Sequence, residues 1–164
     1  ELSIDQIMKH ATTLAQLGKY RACIDLCEYA SEKLDKEDFA LDKKKEIAEM
    51  IVSRKIRAEF NALAQEANKF TIEGDYVNAS NLYIKAFAMD LIRATHLVRM
   101  DAVPVLAQAG KIEEAFVQLD LLANKFALGG NGNFINDPLC EPLHKDKRWK
   151  KLMDKLAKNG ELYR

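Results

Sequence analysis

The chain has 164 residues, of which 48% are hydrophobic and 30% are charged, a composition typical of one globular domain with a sizeable core. Its 25 basic and 25 acidic residues balance, which argues against binding to nucleic acid or to an acidic membrane surface, because both favour a basic surplus. Only 7 Gly and 3 Pro interrupt a sequence rich in Ala, Leu, Lys and Glu, so the composition predicts an all-α fold.

No apolar run approaches the roughly 18 residues of a membrane-spanning helix, and no signal peptide is visible. The three cysteines, Cys23, Cys27 and Cys140, are an odd number, and we interpret them as free, buried thiols. Free thiols are typical of a reducing compartment, so we expect a cytoplasmic protein. Because the sequence begins at Glu1 without a methionine, we also expect it to be a fragment of a longer protein.

One seven-residue phrase occurs three times along the chain. The copies are LAQLGKY at 14–20, FTIEGDY at 70–76 and LAQAGKI at 106–112. Apolar or small residues seven and four positions before each glycine lie on one helical face. The glycine allows the chain to turn, and a small residue five positions later would let a second helix approach closely. The phrase therefore predicts three helix-turn-helix units.

This pattern resembles the tetratricopeptide repeat, a helix-turn-helix unit of 34 residues. The match is good in the second copy, at Ala67, Phe70, Gly74, Tyr76, Ala79, Tyr83 and Ala86. The first copy has Cys23 at a site where alanine is usual, and the third has Pro104 in its first helix. An ordinary helical bundle with three unrelated glycine turns is the alternative interpretation.

The glycines of the first and second copies are farther apart than one repeat. Gly74 and Gly110 are 36 residues apart, close to one repeat, whereas Gly18 and Gly74 are 56 apart. The extra residues carry one apolar stripe without Gly or Pro, which predicts a single helix from about Glu37 to Glu73; the alternative is two helices broken near Ser53. Its first half has more apolar residues than a repeat needs, and we predict an interaction surface there: Leu41, Ile47, Met50, Ile51 and Val52. Its basic residues are interpreted as a solvated face.

The predicted organisation is a single domain over residues 1–164, an array of about three repeats with one extended helix and a C-terminal capping helix. The predicted segments are a first repeat at 1–34, a helical extension at 35–59, a second repeat at 60–93, a third repeat at 94–127, and a loop with a capping helix at 128–164.

The C-terminal tail contains a Gly- and Asn-rich loop at 128–136, followed by a predicted helix from about Lys147 to Lys158. This helix is expected to bury Trp149 with three aliphatic residues. The tail resembles the segment that closes tetratricopeptide arrays in many bacterial signalling proteins, and the matching residues are Asp137, Pro138, Leu143, Asp146, Arg148, Trp149, Leu152 and Met153. The resemblance implies a bacterial signal-transduction protein in which the array is joined to a response-regulator receiver, kinase or other regulatory module.

No catalytic or metal-binding motif is visible in the chain. His10, His96 and His144 have no metal-ligand spacing, and the sequence lacks paired CxxC motifs and a glycine-flanked nucleophilic serine. We therefore expect neither an enzyme nor a metal or cofactor site.

The family resemblance implies a binding groove along the first helices of the repeats. The predicted groove residues are Met8, Thr12, Ala64, Asn68, Thr71, Leu97 and Met100. They are mostly apolar or neutral, and only Asn68 resembles a member of the family's carboxylate clamp. An apolar or amphipathic segment is therefore the expected ligand. The alternative is that the two methionines are core residues.

The expected function is a protein-binding module with a protein or peptide partner. The alternative is self-association as a homodimer through the long helix.

Overall fold

The computed structural model describes residues 1–164 and contains helices but no β-strand, which confirms the all-α prediction. The main helices are α1 (Ile4–Gln16), α2 (Tyr20–Lys36), α3 (Leu41–Ile72), α4 (Tyr76–Phe87), α5 (His96–Gln108), α6 (Ile112–Asp120) and α8 (Lys147–Glu161). Between α6 and α8 lie a π-helical turn (Leu121–Lys125), the short helix α7 (Gly132–Ile135) and a 3-10 helix (Pro138–Leu143). None of the helices combines the length and apolarity that crossing a membrane requires.

The chain divides into two compact units. Unit 1 comprises Glu1–Gln65, and unit 2 comprises Glu66–Arg164. The boundary falls within α3, so this helix contributes most of its length to unit 1 and its last turns to unit 2.

The three glycine-centred turns share one backbone geometry. The φ values are 71°, 79° and 75° at Gly18, Gly74 and Gly110. In each turn the N–H after the glycine donates over 2.9 Å to the carbonyl five residues earlier; the pairs are Lys19 to Leu14, Asp75 to Phe70 and Lys111 to Leu106. This is the Schellman arrangement, which needs a residue with positive φ and therefore favours glycine. The repeated seven-residue phrase therefore specifies the same C-terminal helix turn at all three positions.

The residue five positions after each glycine occupies a fully buried site. Cys23, Ala79 and Ala115 have no exposed surface. Their N–H groups donate to the carbonyl four residues earlier, immediately after the glycine, over 3.0–3.1 Å. The turn therefore sets where the second helix begins and which of its side chains faces inward.

The core of unit 1 forms where α1, α2 and the first half of α3 meet. The side chains of Ile7 and Cys27 lie in the same buried cluster as Ile51 and Ala58 of α3. At the surface, Lys55 Nζ of α3 lies 2.9 Å from a carboxylate oxygen of Glu28 of α2. Helices α1 and α2 therefore cover one face of the long helix α3.

All three cysteines are free and buried, as the sequence predicts. Burial, with a further contribution from neighbouring Cys23, raises the pKa of Cys27 to about 12. Burial also raises the pKa of Cys140 to about 12. Cys27 and Cys140 are thus held protonated at neutral pH.

Helix α3 is continuous through Ser53, so the alternative of two helices is wrong. Its 32 residues correspond to a length of about 48 Å. It begins at Leu41 rather than near Glu37, because Glu37 has the extended conformation (ψ 142°) that ends α2. Lys44 Nζ then donates to the carbonyls of Asp35 and Glu37, over 3.1 and 3.3 Å, and ties the start of α3 to the end of α2.

A buried guanidinium group organises the connection between α4 and α5. Arg99 is only 2% exposed, and it donates hydrogen bonds of 2.6–3.1 Å to three neutral acceptors, which are Thr95 Oγ1, Gln118 Oε1 and the carbonyl of Leu91. Its guanidinium carbon also lies 4.7 Å from the centroid of the Phe87 ring. These contacts hold a loop in which Asp90 and Ala94 both adopt φ of 56°.

The Gly- and Asn-rich segment packs closely against α8 and is hydrogen-bonded to it. The side-chain amide of Asn159 donates to the carbonyls of Ala123 and Leu128, over 2.8 and 3.0 Å. A Cβ added at Gly129 would lie 3.0 Å from the Cα of Gly160, so the two backbones approach each other too closely for a side chain. The loop composition is therefore explained by packing against the last helix.

The prediction that Trp149 is a fully buried anchor is wrong. Leu152, Met153 and Leu156 are buried as expected, but Trp149 is only half-buried. Its ring lies 4.8 Å from the ring of His144, centroid to centroid, near the surface. The buried aliphatic side chains of α8 anchor this helix instead.

We expect Ala79→Leu to destabilise the protein, because there is no exposed space at this site for a larger side chain. Overpacking a helix contact costs about 1–3 kcal/mol of unfolding free energy, or several degrees in Tm for a chain of this size. Thermal unfolding followed by circular dichroism measures the effect. Asn81→Leu, at an exposed position of the same helix, is the control. Equal Tm values for the two variants would contradict the close approach at Ala79.

We also expect the charge of Asp146 to stabilise the start of α8. Its carboxylate accepts from the backbone N–H and guanidinium of Arg148, and these contacts lower its pKa to about 2. Because the pKa is lower in the folded state, the stabilisation is present above the unfolded-state pKa and is lost as the pH falls toward 2.

The test compares the parent with Asp146→Asn, which retains a capping side chain without the charge. In urea unfolding the parent should be more stable at neutral pH, and the difference should narrow as the pH falls from about 4 to 2. Asp25→Asn, at an exposed site in unit 1, is the control. A difference that is independent of pH would show that the charge is not responsible.

Candidate functional site

A groove lies between α1 and the first half of α3 in unit 1. It has a volume of 640 Å³, within the roughly 300–1,000 Å³ of many ligand sites. Met50, which is 49% exposed, supplies apolar surface. Met8 also lines the groove, but it is only 6% exposed and belongs to the core of unit 1, as the alternative interpretation expected for this residue. Thioether side chains are flexible and polarisable, so this surface can adapt to differently shaped apolar groups.

The polar lining of the groove is predominantly basic. Lys9 forms an ion pair of 2.8 Å with Asp5 on the same helix, so these two charges offset each other. Arg54 and Arg57 add two positive charges from α3. Arg54 is half-buried and forms no ion pair with a carboxylate of the chain. A negatively charged group in the groove would therefore meet an available guanidinium.

Hydroxyl groups line the rest of this groove. Thr12 Oγ1 donates to the carbonyl of Met8 over 2.9 Å, and Thr13 Oγ1 donates to the carbonyl of Lys9 over 3.1 Å. Both hydroxyl oxygens thus have their proton engaged while their lone pairs remain able to accept hydrogen bonds. Ser53 adds a third hydroxyl from α3.

The structure divides the predicted groove residues between different places. Met8 and Thr12 line the α1–α3 groove. Asn68, Thr71 and Met100 line a separate cavity of 470 Å³ in unit 2. Ala64 lies in neither and is half-buried on α3, whereas Leu97 is exposed on α5.

The chain's own tail forms one wall of the cavity in unit 2. Phe134 of α7 and Leu139 of the 3-10 helix line it opposite Met100. The side-chain amide of Gln108 on α5 donates to the carbonyl of Leu139 over 2.9 Å. This face of α5 is consequently covered by the tail rather than left open to a partner.

The predicted interaction residues of α3 also separate into two groups. Ile51 is 2% exposed in the core of unit 1, and Ile47 packs against the same core, so neither belongs to an open surface. Leu41, Met50 and Val52 are exposed, Leu41 by 82% and Val52 by 53%. Helices α1 and α2 cover one side of α3, and the exposed residues lie on its other sides.

Sequence reasoning did not place Arg54 and Arg57 in the groove. They were interpreted as part of a solvated basic face, yet both line the groove. Their spacing from Met50, four and seven residues, places all three on one side of a helix and could have signalled a shared face.

The structure brings together no group of three or more His, Cys, Asp or Glu side chains that could hold a metal ion. No family model, curated protein or solved structure matches this chain. The assignment of a function therefore depends on the grooves and their chemistry.

Proposed function

We propose that this chain is a non-catalytic protein-binding module built from tetratricopeptide-like repeats. Three equal Schellman turns, each followed by a buried small residue, support the repeat interpretation. The burial of all three thiols, the most nucleophilic side chains of the chain, favours binding over catalysis.

The larger protein is proposed to be a cytoplasmic bacterial signalling protein, in which this array accompanies a regulatory module. The tail pattern supports this proposal. Asp137 and Asp146 each accept a backbone hydrogen bond at the start of a helix, from Leu139 and Arg148 respectively. Both acidic positions of the pattern thus have a capping role in the fold.

The observation that carries the binding proposal is the α1–α3 groove. It combines apolar methionine surface with an available guanidinium at Arg54. The best-fitting ligand is an amphipathic segment that places an apolar side chain against Met8 and Met50 and a carboxylate near Arg54.

The ligand segment is expected to be helical. Both walls of the groove are helices, whose backbone groups are bonded internally, so they present no free edge to an extended strand. A helical ligand satisfies its own backbone hydrogen bonds and needs only side-chain contacts.

Peptide selection tests this proposal. Random peptides of about 18 residues, enough for five helical turns, are selected by phage display on the full chain and measured by fluorescence anisotropy. Met50→Asn should weaken binding about fivefold or more, because it removes apolar contact area. Arg54→Glu should weaken binding at least about tenfold through charge repulsion.

The matched controls are Val77→Asn, another exposed apolar residue, and Arg21→Glu, an exposed arginine in unit 1 outside the groove. They should leave the affinity unchanged. If no peptide is enriched, or if the groove variants bind as well as their controls, the groove is not the binding site.

Self-association through α3 is the second candidate function, because Leu41 and Val52 are exposed on this helix. We expect Leu41→Glu with Val52→Glu to convert a dimer to a monomer in sedimentation velocity, since burying charge at the contact is unfavourable. Leu97→Glu, at an exposed position of α5, is the control. A parent chain that is monomeric at every concentration would rule this candidate out.

A further inference from the structure

A second groove opens between α6 and α8 in unit 2, outside the face implied by the repeat pattern. It has a volume of 560 Å³. Its apolar floor is formed by Phe116, Val117, Leu121 and Leu152. Val117 remains 54% exposed although its neighbour Phe116 is buried. Leu152 is buried as well, so the apolar surface that the chain leaves uncovered here consists of Val117 and the half-buried Leu121.

A π-helical turn shapes one end of this groove. Helix α6 ends at Asp120, and the following turn includes a hydrogen bond of 3.0 Å from the N–H of Phe126 to the carbonyl of Leu121. Leu121 and Asn124 of this turn line the groove. Such turns are rare and are frequent at functional sites, so the turn is a separate reason to consider this face.

One carboxylate of the groove forms an ion pair, and a second accepts a hydrogen bond from a neutral amide. Arg148 donates to both carboxylate oxygens of Glu113 over 2.8 Å and to Asp146 over 2.7 Å. Asp120 Oδ1 accepts from the side-chain amide of Asn124 over 2.9 Å. Glu113 is therefore neutralised by Arg148, whereas Asp120 keeps its negative charge beside the π-helical turn.

The basic side of the groove is not compensated. Lys151 and Lys155 lie one turn apart on α8, line the groove, and form no ion pair with a carboxylate of the chain. Two ammonium groups beside an apolar floor complement a ligand whose apolar residues are flanked by carboxylates. The complementarity is therefore to an acidic, amphipathic partner.

The form of that partner follows from the groove walls. The backbone groups of α6 and α8 are bonded within their own helices, so strand addition has no edge to use. An amphipathic helix can lay its apolar face on the floor while one polar edge reaches the lysines.

We propose that the α6–α8 groove is a second docking surface, which receives an amphipathic helix of a partner protein with acidic residues beside its apolar stripe. Val117 and Leu121 contact the apolar stripe, and Lys151 and Lys155 pair with the carboxylates. The chain thereby binds one partner segment in unit 1 and another in unit 2.

In the experiment, a phage-display library of random peptides of about 18 residues is first depleted of every peptide that binds the Val117→Asp variant. The remaining peptides are then selected on the full parent chain. That variant retains the α1–α3 groove, so ligands of unit 1 are discarded and a failure here leaves the proposed function standing. The enriched peptides should have apolar residues at spacings of three and four and an excess of Asp and Glu over Lys and Arg.

One enriched peptide is then synthesised and measured by fluorescence anisotropy. Lys151→Glu with Lys155→Glu should weaken its binding at least about tenfold. Lys85→Glu with Lys145→Glu makes the same change in net charge at exposed positions of unit 2 outside the groove, and should change the affinity by less than about twofold. Circular dichroism verifies that each variant is folded.

Three results would overturn the proposal. The first is no enrichment over Val117→Asp. The second is enrichment of peptides that lack an acidic excess or that bind the double lysine variant as well as the parent. The third is a dimer in sedimentation velocity that Val117→Asp dissociates, because it would assign this groove to a second copy of the chain.

Discussion

The repeated glycine turn is the constraint on which the helical hairpins depend. A helix that ends in a Schellman motif reverses direction within two residues, and its geometry is set by hydrogen bonds rather than by the packing that follows. At Gly18, Gly74 and Gly110 the turn is the same to within a few degrees in φ. The next helix therefore begins at a defined position and presents a small residue to the interior. Close helix packing is thus determined locally, and the larger apolar side chains fill the remaining space.

This locality explains which features could be predicted from the sequence. The hairpins, the continuous α3 and the inward position of Ala79 depend on short-range patterns of glycine and apolar residues, and the structure shows each of them. The start of α3 was misplaced by four residues because no Gly or Pro marks the end of α2. There the boundary depends on Lys44 bonding to the carbonyls of Asp35 and Glu37, a tertiary contact without a local signature.

The parts that could not be predicted depend on residues distant in sequence. Arginine is usually exposed at the surface, but the side chain of Gln118 and a loop carbonyl accept hydrogen bonds from Arg99 and allow it to be buried. Asn159 similarly holds a loop more than 30 residues earlier. The candidate site shows the same limit: the sequence identified Met8, Thr12 and Met50 separately, whereas Arg54 acquires its place beside them only when α1 and α3 pack.

A net charge of zero excludes a globally basic protein but leaves local charge free to determine specificity. In each groove an ion pair within the chain neutralises one carboxylate: Asp5 pairs with Lys9, and Glu113 pairs with Arg148. Apart from Asp120, the remaining charged groups beside the apolar surfaces are basic. Because helical walls offer no backbone bonds to a ligand, apolar area must supply most of the affinity and these cations must select the partner. Added salt should therefore weaken discrimination between acidic and basic partners more than it weakens binding itself.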